Sequence, residues 1–237
     1  MATPAPSYAG AVARLEPDRA SLGHLSDEIE ACRACPRLVA WREQVAGSPR
    51  AAYAGEHYWG RPVAGFGDPA ARLIVVGLAP AAHGGNRTGR VFTGDRSGDW
   101  LYGALFRAGY ANQPTSTGRD DGLALTGAWV TAAVRCAPPA NKPTPAERER
   151  CRPFLQRELA ALSDCRVIVA LGQFATSALA AHFDLRPRPR FAHLAEYPLG
   201  ARTLLCSYHP SQQNTFTGTL TRPMFDAVFA RARALGA

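Results

Sequence analysis

Four short apolar runs recur along the chain, separated by stretches in which apolar residues return every three or four positions. The runs cover residues 72–77, 128–134, 166–171 and 203–207. Continuous apolar runs of this length are typical of strands that are buried on both faces of a parallel sheet. Strands that alternate with helices predict an α/β fold, with three α/β/α layers around a central four-stranded parallel sheet.

Helices are predicted on either side of these runs. They cover residues 25–46 with a break near Cys35-Pro36, and then 99–108, 144–162, 172–181 and 223–235. The helix from residue 144 has the best-defined start, because Thr144 is an N-cap, Pro145 takes the first helical position and Glu147 completes a capping box. Residues 185–198 are rich in proline and arginine, which indicates a loop or an edge.

A polar loop rich in glycine or proline follows the predicted strands. These loops cover residues 77–98, 137–143, 172–174 and 208–221. Because the carboxyl ends of parallel strands lie at one edge of the sheet, we expect an active site there. The first loop has the glycines that let a backbone approach a ligand closely, although a plain surface loop has the same composition. It matches neither the P-loop nor the G-x-G-x-x-G motif.

The charge balance favours a polyanionic partner. The 237 residues carry a formal net charge of +8, and Lys142 is the one lysine, so almost all basic side chains are arginine. Arginine binds phosphate oxygens in pairs, although arginine-rich codon usage explains the same bias. No apolar run reaches the length of about 18 residues that a membrane-spanning helix needs. Residues 1–17 lack the pattern of a secretory signal and predict a loose tail.

Four of the six cysteines have a spacing that suits a metal site. Cys32 and Cys35 form a C-x2-C pair, and fourteen residues separate Cys136 from Cys151. Four thiolates can hold a [4Fe–4S] cluster or a zinc ion, whereas buried free thiols show the same spacing. The spacing alone leaves these alternatives open. Cys165 and Cys206 lie beside or inside apolar strands, and we predict that they are buried free thiols.

Four motifs in order make the sequence resemble the family 5 (type B) uracil-DNA glycosylases, which carry an iron–sulfur cluster. The motifs are G-L-A-P-A-A-H-G-G-N-R-T-G-R at residues 77–90, F-T-G-D-R-S-G at 92–98, C-A-P-P-A-N-K-P-T at 136–144 and H-P-S-Q-Q-N-T-F-T-G at 209–218. The resemblance runs from about Cys32 to the end of the last predicted helix, and we expect one glycosylase domain over residues 21–237 after a flexible tail of residues 1–20. It also implies that a uracil flipped out of DNA loses its N-glycosidic bond by hydrolysis, which leaves an abasic site for base excision repair.

The resemblance assigns chemical roles to four of these residues. Phe92 would stack on the flipped base, Asn141 would read the base edge through its amide, and His209 would donate to the oxygen anion that develops on the base. Asp95 would either orient water or stabilise the cationic sugar. Each of the four also has an alternative structural role. These roles are core packing for Phe92, a turn for Asn141, a helix-capping turn for His209 and an N-cap for Asp95.

Other residues of the motifs are expected in the base pocket or on the DNA. Leu78 and Ala79 stand where most related families carry a carboxylate or amide that handles water, and this goes with a base range that includes deaminated purines such as hypoxanthine. The expected pocket residues beside Phe92 and Asn141 are Ala79, His83 and Asn86. The expected DNA-binding residues are Arg87, Gln213, Asn214 and Phe216, the last as a wedge that fills the gap left by the base. Further candidates for phosphate contacts are Arg90, Arg96 and Arg222.

The resemblance finally implies a cofactor and a set of partners. The cofactor is a [4Fe–4S] cluster, and its ligands are Cys32, Cys35, Cys136 and Cys151. We expect a cytoplasmic, nucleoid-associated monomer that acts on uracil in double- and single-stranded DNA and has no membrane partner. Two rival classes stay open: a cluster-containing DNA-binding module without catalysis, and a zinc-stabilised enzyme that acts on free nucleotides and shows no salt-dependent DNA affinity.

Overall fold

The computed structural model describes residues 19–237, which form a mixed α/β fold. The helices in that range are α1 Arg19–Ala31, α2 Pro36–Gly47, α3 Gly85–Thr88, α4 Arg96–Arg107, α5 Pro145–Ala161, α6 Gln173–His182, α7 Gln212–Phe216 and α8 Arg222–Ala234. The strands in that range are β1 Phe66–Gly67, β2 Leu73–Gly77, β3 Ala128–Ala132, β4 Val167–Leu171, β5 Glu196–Leu199 and β6 Arg202–Ser207. The tail predicted for residues 1–20 lies outside the described residues apart from its last two, which begin α1.

The strands form one sheet in the order β1-β3-β2-β4-β6-β5. Its four inner strands are parallel and coincide with the four predicted apolar runs. Leu73 of β2 lies opposite Ala128 of β3 on one side and opposite Val167 of β4 on the other. Two antiparallel strands close the edges, so the predicted four-stranded sheet is the core of a six-stranded one in the part of the chain described.

The two edge strands escaped prediction because their patterns are weak. Strand β1 has two residues, which is too short for any periodicity. Strand β5 alternates between exposed and half-buried positions and contains Pro198, a residue that sheets accept at their edges. The edge alternative for residues 185–198 is therefore confirmed at the end of that stretch.

Helices cover both faces of the sheet, as the alternation of strands and helices predicts. Along β2, Leu73 and Val75 pack against α4 and α8, whereas Ile74 and Val76 pack against α5 and α6. Successive side chains of a strand point to opposite faces, so an inner strand covered on both faces is apolar at most positions. This is the physical origin of the continuous apolar runs in the sequence.

The connectivity places a crevice at the carboxyl edge of the sheet. The chain leaves β2 for β3 on one side and then crosses to β4 on the other, so the strand order reverses at β2. Ligands of open α/β sheets bind at such a reversal. The loops after β2, β4 and β6 all end at this edge.

Helix starts agree with their capping residues. Thr144 accepts from the Glu147 N–H at 3.2 Å and the Glu147 carboxylate accepts from the Thr144 N–H at 2.7 Å, which confirms the predicted capping box of α5. Helix α4 begins at Arg96 rather than at residue 99, because Asp95 caps it. The short helices α3 and α7 lie inside predicted loops. Within the described residues, no helix combines the length and apolarity needed to span a bilayer.

Candidate active site at the carboxyl edge

The loop after β2 places the ring of Phe92 directly over the end of that strand. A β-carbon on Gly77 would lie 2.5 Å from Cζ of Phe92, so only glycine leaves room for the ring. The backbone of Phe92 has a φ of 52°, in the left-handed region that an aromatic residue rarely adopts. Such strain persists only where the surroundings impose it, and it clusters at functional sites.

Buried hydrogen bonds impose this conformation. The Tyr102 hydroxyl donates to the carbonyl of Val91 at 2.8 Å. At the next residue after Phe92, the Thr93 hydroxyl lies 2.7 Å from the Ser116 hydroxyl. The carbonyl of Phe92 packs so tightly that a β-carbon on Gly98 would lie 1.9 Å from its oxygen. Both neighbours of the aromatic residue are thus anchored, and its ring is held in place.

His209 follows β6 and faces this ring. The centroids of the Phe92 and His209 rings lie 5.8 Å apart. The ring nitrogens of His209 make no hydrogen bond to another described residue, so they are free to meet a ligand. Burial lowers the pKa of His209 to about 4, and its imidazole is therefore neutral near pH 7.

Two neighbours fix the backbone of His209. The Asn214 side chain donates from Nδ2 to the carbonyl of His209 at 2.9 Å. Gly172, which precedes α6, lies so close that a β-carbon there would be 3.2 Å from Cβ of His209. The structure thereby gives Asn214 a positioning role, while its predicted contact with DNA stays a prediction.

Asp95 is confirmed as the N-cap of α4, the plainer of its predicted roles. Its Oδ1 accepts from the Gly98 N–H at 3.0 Å. Its other oxygen packs on Gly84, where a β-carbon would lie 2.2 Å from Oδ2. Burial raises the pKa of Asp95, and the N–H groups of Gly98 and Ser97 oppose that rise. A role in catalysis stays a prediction.

His83 and Asn141 line a cavity of about 390 Å³. Phe92, His209 and Asp95 are not among its lining residues. Nδ1 of His83 lies 2.9 Å from the Tyr58 hydroxyl, and burial together with nearby arginines lowers the pKa of His83. Asn141 is exposed in a tight turn with a φ of 55°, which confirms the turn role. It makes no side-chain hydrogen bond within the described range, so its reading of a base edge stays a prediction.

Two expected pocket residues contact α2 or the cysteine cluster. Asn86 is fully buried, and its Nδ2 donates to the carbonyl of Arg42 at 3.1 Å. Its Oδ1 has no partner among the described residues. Ala79 packs against the apolar cluster that contains Cys136 and Cys151. Both residues join the first loop to the cysteine region, and contact with the base stays a prediction for each.

Arg87 is used inside the protein. Its guanidinium donates to the carbonyls of His83 at 2.8 Å and Gly94 at 3.1 Å, and it pairs with Glu56 at 2.5 Å. It also lies over the ring of Tyr53, 4.1 Å from the centroid. These contacts tie both ends of the first loop together, which leaves few donors of Arg87 for a DNA phosphate.

Four cysteines line one small cavity. They come from the connection between α1 and α2, the segment after β3, and α5, and they are Cys32, Cys35, Cys136 and Cys151. Burial raises the pKa of Cys136 to about 11 and that of Cys151 to about 12. Among the described residues, no three side chains of the metal-binding types converge tightly enough for a single ion. Cys165 and Cys206, the two predicted free thiols, are confirmed as buried in the core on the sheet face covered by α5 and α6.

Arg42 is a residue of this region that no sequence motif indicated. It is 2% exposed, and its guanidinium donates to the sulfur of Cys136 at 2.9 Å and to the carbonyl of Cys32 at 3.1 Å. No carboxylate lies within ion-pair distance of Arg42 in the described part of the chain. Its position four residues after Leu38, on the buried face of α2, was the one available hint.

The expected DNA-contacting segment projects from the same edge. Phe216, at the end of α7, is 66% exposed, far more than is usual for an aromatic ring. Gln213 is exposed beside it. An exposed ring next to the crevice fits the predicted wedge geometry, and DNA contact by these two residues stays a prediction.

Comparison with known proteins shows the family of the chain. Residues 64–233 match the family profile of the Uracil DNA glycosylase superfamily, so the chain belongs to that superfamily. Within it, the chain belongs to the type-5 enzymes, which confirms the family predicted from the motifs. It is 57% identical over 209 residues to the "Type-5 uracil-DNA glycosylase" of Thermus thermophilus, covering 87% of this chain and 94% of that protein. It is 54% identical over 220 residues to the protein of the same name from Mycobacterium tuberculosis, covering 91% of this chain and 82% of that one. A "Type-4 uracil-DNA glycosylase" of Archaeoglobus fulgidus is 33% identical over 52% of this chain.

Proposed function

We propose that the protein is a monofunctional uracil-DNA glycosylase, which hydrolyses the N-glycosidic bond of uracil in DNA and leaves an abasic site. One observation carries this proposal: the ring of Phe92, with its strained backbone, and the imidazole of His209, which has no hydrogen-bond partner within residues 19–237, face each other at the carboxyl edge of the sheet. The relatives named as type-5 uracil-DNA glycosylases support the same activity.

The electrostatics of His209 suit the departure of an anionic base. Breaking the glycosidic bond leaves negative charge on the uracil oxygens, and a fixed donor at that oxygen stabilises the transition state. Because the pKa of His209 is about 4, the imidazole serves as a neutral hydrogen-bond donor at neutral pH rather than as a general acid. Asn214 holds the backbone of His209, so the donor is positioned before the base arrives.

Phe92 would provide the stacking face for the flipped base. Its ring is packed in the core cluster around β2, so it loses little further rotamer freedom when a base stacks on it. Asn141, which lines the cavity that also contains His83, would read the base edge with the donor and acceptor of its amide. Leu78 and Ala79 stand where related families carry a carboxylate or amide, and on this family resemblance we extend the proposed base range to hypoxanthine.

Asp95 would act on the sugar rather than on the base. The α4 cap engages Oδ1, and Oδ2 lies against Gly84, so the carboxylate is immobilised. A fixed negative charge suits electrostatic stabilisation of a cationic sugar, whereas orientation of water by Asp95 is the alternative. The Asp95→Asn variant in the Discussion tests the need for the charge.

The cysteine cavity would hold a [4Fe–4S] cluster. Four thiols line one small cavity, and four thiolates are the ligand set of a [4Fe–4S] cluster, with a zinc ion as the alternative. Arg42 supplies a second observation, because a buried guanidinium without a carboxylate needs an anion nearby, and thiolate ligands provide one. When bound, the cluster would cross-link the α1–α2 connection, β3 and α5, and it would add a redox-active centre.

Single-turnover cleavage of a uracil-containing duplex tests the proposal. The expected result is strand scission after alkali at the uracil position, with none in an identical duplex that carries thymine. A protein that binds the duplex without scission is the DNA-binding module, and one that cleaves deoxyuridine monophosphate but not the duplex is the nucleotide enzyme. We further propose that it acts as a monomer on both duplex and single-stranded DNA at the nucleoid.

A further inference from the structure

Of the arginines near the proposed DNA face, two are engaged inside the protein and two are free. Arg90 is 5% exposed and pairs with Asp121 at 2.7 Å, while Arg87 is held by the first loop as described above. Arg96 and Arg222 are exposed. Neither forms an ion pair or donates a side-chain hydrogen bond within residues 19–237. Their donors are therefore available to a ligand.

Each of the two free arginines rests on an aromatic ring. Arg96 is the first residue of α4, and its guanidinium carbon lies 4.3 Å from the ring centroid of Phe216. Arg222 is the first residue of α8, and its guanidinium carbon lies 5.8 Å from the ring centroid of Trp100. The stacked faces leave the edges of both guanidinium groups, which carry the N–H donors, free.

The two arginines line one groove of about 140 Å³ between α4 and α8. Arg107 lines it too but is neutralised by Asp226 at 2.6 Å. Asp99 is the remaining charged group of the groove. Two free cations against one carboxylate leave the groove net positive, which suits a phosphate rather than a metal ion.

We infer that Arg96 and Arg222 bind backbone phosphates of the DNA strand beside the flipped nucleotide, and that Arg96 is also a positioning residue for the wedge Phe216. This inference rests on the proposed function. Arg96 directly follows Asp95, so the phosphate contact, the support of the wedge and the start of α4 share one rigid point of the chain. An exposed ring that is stacked before DNA arrives has less freedom to lose on insertion.

The phosphate contacts are tested by the salt dependence of binding. The probe is a duplex with a tetrahydrofuran abasic analogue, which the enzyme cannot cleave, and its affinity is measured at several salt concentrations. Arg96→Ala and Arg222→Ala should each reduce the slope of log affinity against log salt by about 0.9, the value for one lost phosphate contact. The control Arg157→Gln removes an exposed charge on α5, across the sheet, and should leave the slope unchanged. Wild-type slopes in both test variants would overturn the phosphate assignment.

The positioning role is tested with a variant that keeps the charge. Arg96→Lys retains a phosphate contact but loses the planar face that covers Phe216. We expect a wild-type salt slope and a loss of duplex affinity of up to about fivefold, the upper range of an exposed cation–π contact that lysine keeps only in part, with little change on single strands. In the double variant Arg96→Ala and Phe216→Ala, the duplex losses should be less than multiplicative. Equal losses on duplex and single strands, or multiplicative losses, would overturn the positioning role.

These outcomes separate the inference from the proposed function. A wild-type protein that excises no uracil would refute the glycosylase proposal. The salt slopes depend only on DNA binding and can be measured in either case. Arg96 and Arg222 are exposed, so their variants should melt within a few degrees of the wild type. A melting curve of each variant confirms that affinity, and not folding, has changed.

Discussion

Replacing His209 tests both the chemistry and the electrostatics of the proposed site. His209→Ala removes a donor that has no other hydrogen bond in the described structure, so nothing nearby replaces it. Loss of one such donor costs about a hundredfold to a thousandfold in rate, or about 2.7–4 kcal/mol of transition-state stabilisation. His209→Gln keeps a neutral amide donor and should lie between the alanine variant and the wild type.

The pH profile separates a neutral donor from a charged one. Because burial lowers the pKa of His209 to about 4, the ring is already neutral at pH 6, and the single-turnover rate of the wild type should not fall between pH 6 and 8. An imidazolium donor would instead lose activity as the pH rises through the ordinary histidine range. A fall of the wild-type rate over that interval, absent in His209→Gln, would refute the neutral-donor mechanism.

The same shift makes a prediction about stability. The pKa of His209 drops from an ordinary 6.5 to about 4 on folding, so between these values the unfolded chain binds more protons. The contribution of the neutral His209 to the free energy of unfolding is fully present above pH 6.5 and is lost as the pH falls toward 4. At pH 4.5 the loss amounts to about 2.5 kcal/mol, from 1.36 kcal/mol per pKa unit.

Urea unfolding at pH 7 and pH 4.5 measures that loss. Other partly buried histidines destabilise in the same direction, so the informative quantity is the difference between the wild type and His209→Gln. The variant should lose about 2.5 kcal/mol less than the wild type over this pH interval. His57→Gln removes an exposed imidazole and serves as the control. Identical pH dependence in the wild type and His209→Gln would mean that this histidine does not titrate as described.

Three further predictions follow from other parts of the site. Asp95→Asn keeps the α4 cap, so the melting temperature should stay near that of the wild type while single-turnover cleavage falls; normal cleavage would remove the need for the charge. Asn141→Ala should slow excision of uracil more than that of hypoxanthine, because the two base edges differ, and equal losses would argue against edge reading. Purified protein should absorb broadly in the visible range and contain iron. Cys136→Ser should lose both signals, and Cys206→Ser should keep them. A colourless wild type with stoichiometric zinc would refute the cluster.

The local sequence determined the elements that depend on near neighbours. The four inner strands follow from apolar runs, since a strand covered on both faces is apolar at most positions. The α5 capping box is encoded within four residues, from Thr144 to Glu147. The position of the site followed from the same pattern, because the carboxyl ends of parallel strands share one edge.

The tertiary structure decided which polar groups are used inside the protein and which are free. Arg87 and Arg96 are equally plausible phosphate ligands in the sequence, yet the first is held by the loop it closes and the second rests on Phe216. The strained Phe92 depends on Tyr102 and Ser116, and the unusual Arg42 meets a cysteine 94 residues away. Burial and hydrogen bonding of a side chain depend on neighbours distant in sequence, and local periodicity carries no information about those contacts.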